Sequence, residues 1–441
     1  MENSKNLYEQ IYEGIKTDIL SGRLTHGQRL PSKRACAERY GVSVVTVENA
    51  YAQLIAEGYV RSAQRRGYFV QYSGGAVEAA PVQPPEPFPE EEQQAHTGGE
   101  SFPFTVWARL MRSVILEKGA AILQPVRHGG AEELRCAISD YLYRTRGFYA
   151  APRRIIVGSG TEYLYNLLVQ FLGRDKRYAV EDPGYDKLSK IYALCGVHCE
   201  HIPLDAEGMS VQILRESSVD VAHISPAHHY PTGLVMPITR RRALMDWAQE
   251  GARCIIEDDY DSEFRWSGKP VPSMFGMDTA GRVIYINTFS QTIAPSVRIS
   301  YMCLPQELCE QWESVMGFYS CPVPAFEQYT LARFIAQGYF ERHINRTKKR
   351  FRRIREAVLA LMRSFSEIKE ITEENAGLHF TVTIDANAQR VVSVCAECGI
   401  RVTALSAFYY DADKAPHGQY VVSYAAADEA ALVTLAEKHE R

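Results

Sequence analysis

No apolar run in the sequence approaches the roughly 20 residues that a membrane-spanning helix requires, so a membrane-embedded protein is not expected. The first ten residues also lack the apolar core of a secretory signal peptide. Ten cysteines among 441 residues are too few for a disulfide framework, and without an export signal they are expected to be reduced thiols. These absences predict a globular, cytoplasmic protein whose length suits two or three domains.

Charge is distributed unevenly along the chain, although its net value is only −4. Residues 1–72 carry ten Lys and Arg against seven Asp and Glu, whereas residues 73–100 carry six Glu and no basic residue. The second segment is also rich in proline and cannot pack a core, so it is predicted to be an extended linker. The chain is therefore divided into a basic module (1–72), a linker (73–100) and a nearly neutral body (101–441).

The basic module contains three helical patterns followed by a two-stranded pattern. Apolar residues recur at helical spacing over residues 7–20. Ser32 and Ser43 precede the second and third helical patterns as candidate N-caps. Two short helices joined by a tight glycine-containing turn indicate a helix-turn-helix, and YVRSAQRRGYFV indicates a β-ribbon. The apolar face expected for the third helix consists of Val44, Val47, Ala50, Tyr51 and Leu54.

The segments LPSKRACAERYGVSVVTVENAYAQLIAEGYV and RRGYFV resemble the winged helix-turn-helix of GntR-type bacterial regulators. The resemblance implies binding to double-stranded DNA at an operator with two half-sites, with the third helix in the major groove. Val44 departs from the pattern, because many members have Arg there. A three-helix protein-interaction module is the alternative interpretation. The residues to which the resemblance assigns DNA contacts are Ser32, Lys33, Arg34, Ser43, Thr46, Val47, Asn49, Tyr51, Arg61, Arg65, Arg66 and Gly67.

The body alternates short apolar runs with segments long enough to form helices. This alternation is typical of βαβ units and predicts a mostly parallel sheet that is buried on both faces. Ligands of such sheets bind at the carboxyl ends of the strands, and glycine and polar residues follow each run here. The predicted strands are residues 155–159, 177–182, 221–225, 254–259 and 283–288.

The motifs GAEELRCAISDYLYRTRGF, VEDPGY, HHYPTGLVMPITRRRALMDWA, EDDYDSEF, NTFSQTIAPSVR and AGLHF follow one another in the body. Together they resemble fold-type I aminotransferases, and more closely the MocR-type regulators, which fuse a GntR-type winged helix to an aminotransferase-like domain with a small C-terminal α/β subdomain. The resemblance implies a homodimer, a small-molecule effector and a site for pyridoxal 5'-phosphate. The residues matched to that site are Gly160, Thr161, Tyr185, Tyr230, Asp258, Tyr260, Thr288, Ser290, Gln291 and Arg298.

The chemistry of pyridoxal phosphate accounts for these residue types. Its phosphate needs a helix N-terminus, matched by Gly160-Thr161, and a charged donor, matched by Arg298. Its ring nitrogen needs a carboxylate to stay protonated, which matches Asp258. Its ring face needs an aromatic platform, which matches Tyr185.

Position 291 departs from the family pattern. The family places a Schiff-base lysine after the Phe-Ser pair, whereas this chain has Gln291. An amide can neither form that bond nor move the proton that transamination requires, so no catalytic residue is expected and pyridoxal phosphate is predicted to bind non-covalently. Residues 417–425 also lack the arginine with which many members bind a carboxylate. Gln291 is either a natural departure or an introduced change, and the missing arginine favours the former.

Three functions remain open from the sequence. The preferred one is a transcription regulator whose body binds pyridoxal phosphate or a related effector. The alternatives are an active aminotransferase with an accessory DNA-binding arm and a regulator that senses a different metabolite. Gln291 argues against the first alternative, and the other matched cofactor residues argue against the second.

Two further clusters receive structural interpretations, and no metal is expected. The cysteines and histidines at Cys195, His198, Cys199 and His201, like Cys395 and Cys398, are interpreted as parts of the core rather than as ligands. The basic run over residues 346–355 is interpreted as the solvated face of a long helix. An auxiliary DNA-contacting surface is the alternative for that run.

Overall fold

The computed structural model describes residues 7–74, 102–266, 271–372, 375–385 and 388–432. The chain divides into two compact units, residues 1–92 and 93–441. The predicted linker (73–100) lies almost entirely outside the described residues, so its extended form stays a prediction. No helix within the described ranges is long and apolar enough to cross a membrane.

The first unit is a three-helix fold with a two-stranded antiparallel ribbon. Both predicted N-caps are confirmed, because the Ser32 hydroxyl accepts the Ala35 N–H at 3.2 Å and the Ser43 hydroxyl accepts the Thr46 N–H at 3.1 Å. Its elements are α1 (Leu7–Leu20), α2 (Lys33–Tyr40), α3 (Val44–Ala56), β1 (Val60–Ala63) and β2 (Gly67–Val70).

The core of the first unit lies between α1 and α3. Ile11, Ile15 and Ile19 present one buried stripe of α1, as the helical spacing predicted. Val44 does not belong to the core face of α3, since it is 41% exposed in the first turn of that helix. That part of the predicted apolar face is wrong.

The second unit contains two sheets and the helices that cover them. Its helices are α4 (Phe104–Lys118), α5 (Glu132–Arg146), α6 (Thr161–Leu172), α7 (Asp186–Leu194), α8 (Val211–Glu216), α9 (Ile238–Glu250), α10 (Met274–Met277), α11 (Gln306–Met316), α12 (Ala325–Ala336), α13 (Tyr339–Ser364) and α14 (Gln389–Glu397). The strands of its large sheet are β3 (Ile155–Gly158), β4 (Arg177–Asp182), β5 (His198–Asp205), β6 (Gly208–Met209), β7 (Val221–Ile224), β8 (Cys254–Asp258), β9 (Val283–Thr288) and β10 (Ser300–Cys303).

The large sheet has the strand order β3-β10-β9-β8-β7-β4-β5-β6, in which β10 and β6 are antiparallel to their neighbours. The central strands β9, β8, β7 and β4 pair in parallel, which confirms the predicted mostly parallel sheet. Successive residues of these strands enter different cores: Ile255 packs on one face and Ile256 on the other. The sheet is thus buried on both faces.

A smaller antiparallel sheet forms the C-terminal subdomain. Its strand order is β11-β12-β14-β13, and it shares an apolar core with the second half of α13 and with α14. The predicted small α/β subdomain is therefore confirmed. Its strands are β11 (Ile368–Thr372), β12 (His379–Ile384), β13 (Arg401–Ala404) and β14 (Gln419–Ser423).

Candidate functional site

A cavity of about 430 Å³ lies where the parallel strands end. Asp258 is the last residue of β8, and Thr288 is the last residue of the neighbouring strand β9. The structure brings nine of the ten predicted cofactor residues to the cavity wall, and the tenth, Gly160, stands directly before the helix that begins at Thr161. The lining residues from this set are Thr161, Tyr185, Tyr230, Asp258, Tyr260, Thr288, Ser290, Gln291 and Arg298.

One end of the cavity suits an anion. Gly160 has φ 93° in front of α6, and a Cβ there would lie 2.5 Å from the Arg298 guanidinium, so only glycine leaves this approach open. The Arg298 side chain is half exposed and lies 3.7 Å from Glu162. The buried Ser290 hydroxyl has no hydrogen-bond partner among the described residues. A helix N-terminus, a guanidinium and an unpartnered hydroxyl are the groups that a phosphate requires.

A half-satisfied carboxylate lies on the cavity wall. Asp258 Oδ2 accepts a hydrogen bond from the Tyr165 hydroxyl and lies 3.4 Å from His223 Nε2. Asp258 Oδ1 is buried and has no partner within the described part of the chain. One carboxylate oxygen is therefore fixed by the protein, and the other remains available to a ligand that donates a hydrogen bond.

Tyr165 and His223 were missed at the sequence level. Tyr165 lies one turn after Thr161 on α6, and His223 is the one polar residue of the buried strand VAHI. The His223 ring in turn contacts the Tyr192 hydroxyl at 2.6 Å. A lone histidine in an otherwise apolar strand was the available signal, because burial of a polar side chain requires a partner.

Four tyrosines also line the cavity, namely Tyr165, Tyr185, Tyr230 and Tyr260. Tyr185 is 47% exposed, and its ring meets that of Tyr230 nearly edge-on at 6.1 Å. Burial raises the pKa of Tyr260 well above its usual value, so its phenol stays protonated and can donate a hydrogen bond. These positions agree with a stacking platform and a donor, although their roles stay predictions.

Glu181 is a second carboxyl group at the cavity that sequence reasoning missed. Burial raises its pKa to about 8, and its side chain accepts the Ser225 N–H at 2.8 Å. His229 lies 3.6 Å from the same carboxyl oxygen, and burial lowers the pKa of this histidine to about 3. At neutral pH the Glu181–His229 pair is therefore mostly uncharged.

Gln291 lines the cavity at the position where the family places its lysine. None of the described lining residues is a lysine. Lys187, next to the cavity, donates a hydrogen bond to Glu162. The described wall thus offers no amine for a covalent bond to a bound aldehyde.

His228, Asp261 and His379 are the one group of potential metal ligands in the described ranges, with donor atoms within 4.8 Å of one another. His228 Nδ1 is hydrogen-bonded to Asp261 at 2.8 Å, and the two imidazole rings are 4.4 Å apart. Gly377 packs so closely that a Cβ there would lie 1.8 Å from the His228 ring. The group is a dense hydrogen-bonded cluster, and the expectation of no metal stays a prediction.

The first cysteine and histidine cluster is not part of the core as predicted, because His198 is exposed and Cys195, Cys199 and His201 are only half-buried. The Cys195 thiol contacts Asn166 at 3.1 Å, and His201 contacts Ser189 at 3.0 Å. Cys395 and Cys398 are buried in the core of the C-terminal subdomain. All ten cysteines are free in the structure, and their reduced state stays a prediction.

The winged helix exposes most of the predicted DNA contacts but not all of them. Val47 and Tyr51 are fully buried, and the Tyr51 hydroxyl donates to the Pro31 carbonyl at 3.0 Å. Their assignment to DNA is wrong, because the helical period turns both side chains into the core of the first unit. The exposed members of the predicted set are Ser32, Arg34, Ser43, Asn49, Arg61, Arg65 and Arg66, and the half-buried members are Lys33, Thr46 and Gly67.

The tip of the wing has an unusual backbone. Arg65 has φ 60°, a left-handed conformation that is rare for a residue other than glycine, and Gly67 has φ 104°. This turn projects Arg65 and Arg66 from the ribbon into solvent. Lys33, in contrast, is hydrogen-bonded to Glu48.

The model of the bacterial regulatory proteins of the gntR family matches residues 7–70. The chain is 37% identical to the HTH-type transcriptional regulator YdeL of Bacillus subtilis, over 91% of this chain and 90% of that one. It is 31% identical to a probable rhizopine catabolism regulatory protein, MocR, of Rhizobium meliloti, over 84% and 80% of the two chains.

Solved structures resemble the body. A multiple substrate aminotransferase from Thermococcus profundus matches with a TM-score of 0.65 and 24% identity, over 77% of this chain and 88% of that one. A kynurenine aminotransferase from Pyrococcus horikoshii, solved with PMP and KYN, matches with a TM-score of 0.63 and 26% identity, over the same shares. The body therefore has the fold-type I aminotransferase fold.

The two units together define a class: transcription regulators in which a DNA-binding winged helix is joined to an aminotransferase-like domain. The chain belongs to the MocR-type regulators of the GntR family. The two relatives described above, each matched over 80% or more of its own length, are both named as regulators.

Proposed function

We propose that this regulator binds pyridoxal 5'-phosphate non-covalently in its body, acts as a homodimer at operators with two half-sites, and does not transaminate. The unpartnered Asp258 Oδ1 carries the proposal for the cofactor. A buried carboxylate oxygen without a donor is costly, and a protonated ring nitrogen would supply that donor. The alternative of a different metabolite would have to supply both an anion for the N-terminus of α6 and Arg298 and a hydrogen-bond donor for Asp258 Oδ1.

The chain's own residues would hold the cofactor by its two charged ends. The N-terminus of α6 and Arg298 would bind the phosphate, while Asp258 would keep the ring nitrogen protonated. Tyr185 would lie against the ring face. When bound, pyridoxal phosphate supplies an aldehyde and an electron-withdrawing ring. Gln291 offers that aldehyde neither an amine nor a proton carrier, which supports binding without catalysis.

A reduction experiment tests this proposal. Full-length protein loaded with pyridoxal phosphate is treated with borohydride and analysed by mass spectrometry, and dialysis is followed by absorbance. The chain should stay unmodified and the cofactor should dialyse away. Gln291→Lys should become covalently labelled at position 291, whereas the matched variant Gln291→Met should not.

Several outcomes would overturn the proposal. An adduct on any residue of the unaltered chain, or turnover of an amino acid by it, would favour the enzyme alternative. Failure of the unaltered chain to bind pyridoxal phosphate at micromolar concentration would show that this compound is not its ligand.

Exposed apolar side chains support the homodimer. Phe104 is 65% exposed, Leu116 77% and Leu123 73%, all within or just after α4. An apolar groove of about 530 Å³ also lies between Phe104 and residues 294–297, the segment that precedes Arg298. Large apolar patches mark interaction surfaces in soluble proteins. Light scattering should give twice the mass of the chain, and a monomer at micromolar concentration would contradict the proposal.

A further inference from the structure

A second cavity, of about 390 Å³, adjoins the one described above. Glu181 and Gly184 line both cavities, whereas Asp182 lines only the second. The opposite wall of the second cavity consists of residues 407–410, which follow β13. The two walls are joined, because the Gly184 N–H donates a hydrogen bond to the Phe408 carbonyl at 3.0 Å. The second cavity is therefore a separate space that shares one wall with the first.

The carboxylate of Asp182 has no cation partner in this cavity. Its Oδ1 atom accepts the Tyr410 N–H at 3.0 Å, and within the described ranges no Lys, Arg or His side chain lies at ion-pair distance from it. Lys190 also lines the cavity, but it is paired with Asp186 at 2.6 Å. The charge of Lys190 is thus already balanced, and that of Asp182 is not.

The other titratable groups of the wall do not balance Asp182 either. Glu181 is mostly uncharged at neutral pH, since burial raises its pKa to about 8. Burial lowers the pKa of His201 below its usual value, although Asp182 opposes the shift, so this imidazole is mostly neutral as well. His198 is exposed and lies 3.7 Å from the carboxylate of Glu200. Asp182 therefore supplies the uncompensated negative charge of the second cavity.

Aromatic rings complete the wall beside this carboxylate. The Tyr410 ring stacks on the His201 ring at 4.0 Å with an angle of 17° between the planes. The Ser189 hydroxyl holds His201 Nε2 at 3.0 Å, which fixes the inner ring of the stack. Tyr410 is 76% exposed, so the face of its ring that does not contact His201 stays accessible. The faces of tyrosine rings attract cations electrostatically.

We propose that the second cavity binds a small organic ammonium ion, with Asp182 as its counter-ion and Tyr410 as its aromatic contact. An anion is unsuited, because the lining lysine is already paired. The group of potential metal ligands in the described ranges, His228, Asp261 and His379, does not line this cavity. The proposal does not depend on the proposed function, since it requires no cofactor in the first cavity.

Calorimetry on the full-length protein tests the proposal with choline as the probe. Its quaternary nitrogen cannot form an imine with pyridoxal phosphate, so binding and covalent chemistry stay separate. The reference compound is the neutral alcohol dimethylbutanol, in which a carbon atom replaces the nitrogen. The unaltered protein should bind choline about tenfold more tightly than the alcohol, the order expected for a unit charge near one carboxylate at a partly exposed site.

Asp182→Asn should abolish that preference. The amide keeps an oxygen that can accept the Tyr410 N–H, so the wall should stay folded while its charge is lost. Asp413→Asn is the matched control, because Asp413 is an exposed carboxylate of the segment after Tyr410 that does not line the cavity. This control should keep the full preference for choline, which excludes a general effect of surface charge.

Two variants of Tyr410 test the aromatic contact. Tyr410→Leu should weaken choline binding about threefold, because it removes the ring face. Tyr410→Phe should keep the affinity, since the attraction comes from the ring and not from the hydroxyl. Equal loss of affinity in both variants would contradict the aromatic contact.

Three results would overturn the proposal as a whole. They are absence of choline binding at millimolar concentration, equal binding of choline and the alcohol by the unaltered protein, and an unchanged preference in Asp182→Asn. Titrations are repeated with excess pyridoxal phosphate, and choline binding that then disappears would place the ion in the first cavity and also contradict the proposal. If the protein does not bind the cofactor, the proposed function fails, whereas the Asp182 and Asp413 variants still decide where choline binds.

Discussion

The winged helix and the cavity of the body hold their polar groups in opposite ways. In the winged helix, Arg34, Arg61 and Arg66 are exposed, so their charges are in contact with solvent before any ligand binds. In the cavity, Asp258 Oδ1 and the Ser290 hydroxyl are buried without partners among the described residues. The first surface is prepared for a large polyanion in solvent, and the second for one small molecule.

This difference has a physical consequence for specificity. An unsatisfied buried polar group costs about 1–3 kcal/mol, and a ligand regains that free energy only if it places a partner at the correct atom. Exposed arginines attract any phosphate backbone, and the attraction weakens as salt is added. We therefore expect variants of the cavity to lose affinity for one small molecule only. Variants of the wing should lose affinity for all DNA sequences to the same extent.

The largest effect should come from removing a residue of the winged-helix core. Tyr51→Ala should destabilise the first unit by about 3–5 kcal/mol, because it removes a fully buried aromatic side chain. Hydrogen exchange of the α1 and α3 amides in the full-length protein should accelerate accordingly. Asn49→Ala, on the exposed side of the same helix, is the control. Protection that stays unchanged in Tyr51→Ala would mean that the tyrosine does not anchor this core.

The next effect concerns the cavity. Asp258→Asn should weaken pyridoxal phosphate binding about 10- to 100-fold, as expected for loss of a hydrogen bond to a charged group. Equilibrium dialysis measures the affinity, and Asp246→Asn, an exposed residue of α9, is the control. DNA affinity at fixed salt should not change in either variant. An unaltered affinity for the cofactor in Asp258→Asn would contradict the assignment of this carboxylate.

The sequence predicted the scaffold of both regions because their signals are local. Each predicted strand of the large sheet is an apolar run, and Asp258 and Thr288 could be placed because they end such runs. Tyr165 and His223 were missed because they lie within elements whose side chains otherwise belong to the core. Their position beside Asp258 depends on strand and helix packing, which no local pattern contains.

Two errors have the same origin. The helical period places Val47 and Tyr51 on the inner face of α3, yet the family resemblance assigned them to DNA. Local periodicity was the better guide there, because a helix has only one face for the core.

A smaller effect should appear in the pH dependence of stability. Glu181 has a pKa of about 8 in the folded state against an ordinary value of 4.5. Its contribution to the stability of the fold is therefore fully present below pH 4.5 and is lost as the pH rises through 8. His229 has the opposite sign: its pKa of about 3 lies below 6.5, so its contribution is present above pH 6.5 and is lost as pH falls through 3. Between pH 6.5 and 8, only Glu181 of this pair changes stability.

Glu181→Gln should therefore gain stability relative to the unaltered protein as pH rises across that window, by about 1–2 kcal/mol. The amide imitates the protonated acid and has no charge to bury. Thermal unfolding of both proteins from pH 6.5 to 8 measures the difference. Parallel curves for the two proteins would show that Glu181 is ionised in the folded state.

The smallest effect is expected at the tip of the wing. Arg66→Gln should reduce DNA affinity roughly threefold to tenfold, equally for operator and unrelated duplex, because we expect the wing to contact the phosphate backbone, which is the same in every sequence. The slope of log affinity against log salt should fall by about one unit. Mobility-shift titrations at several salt concentrations measure both quantities.

Arg346→Gln, on the basic run of α13, is the matched control, and it should leave the slope unchanged if that run is only a solvated face. A loss of salt dependence in Arg346→Gln but not in Arg66→Gln would move the phosphate contacts from the wing to the body.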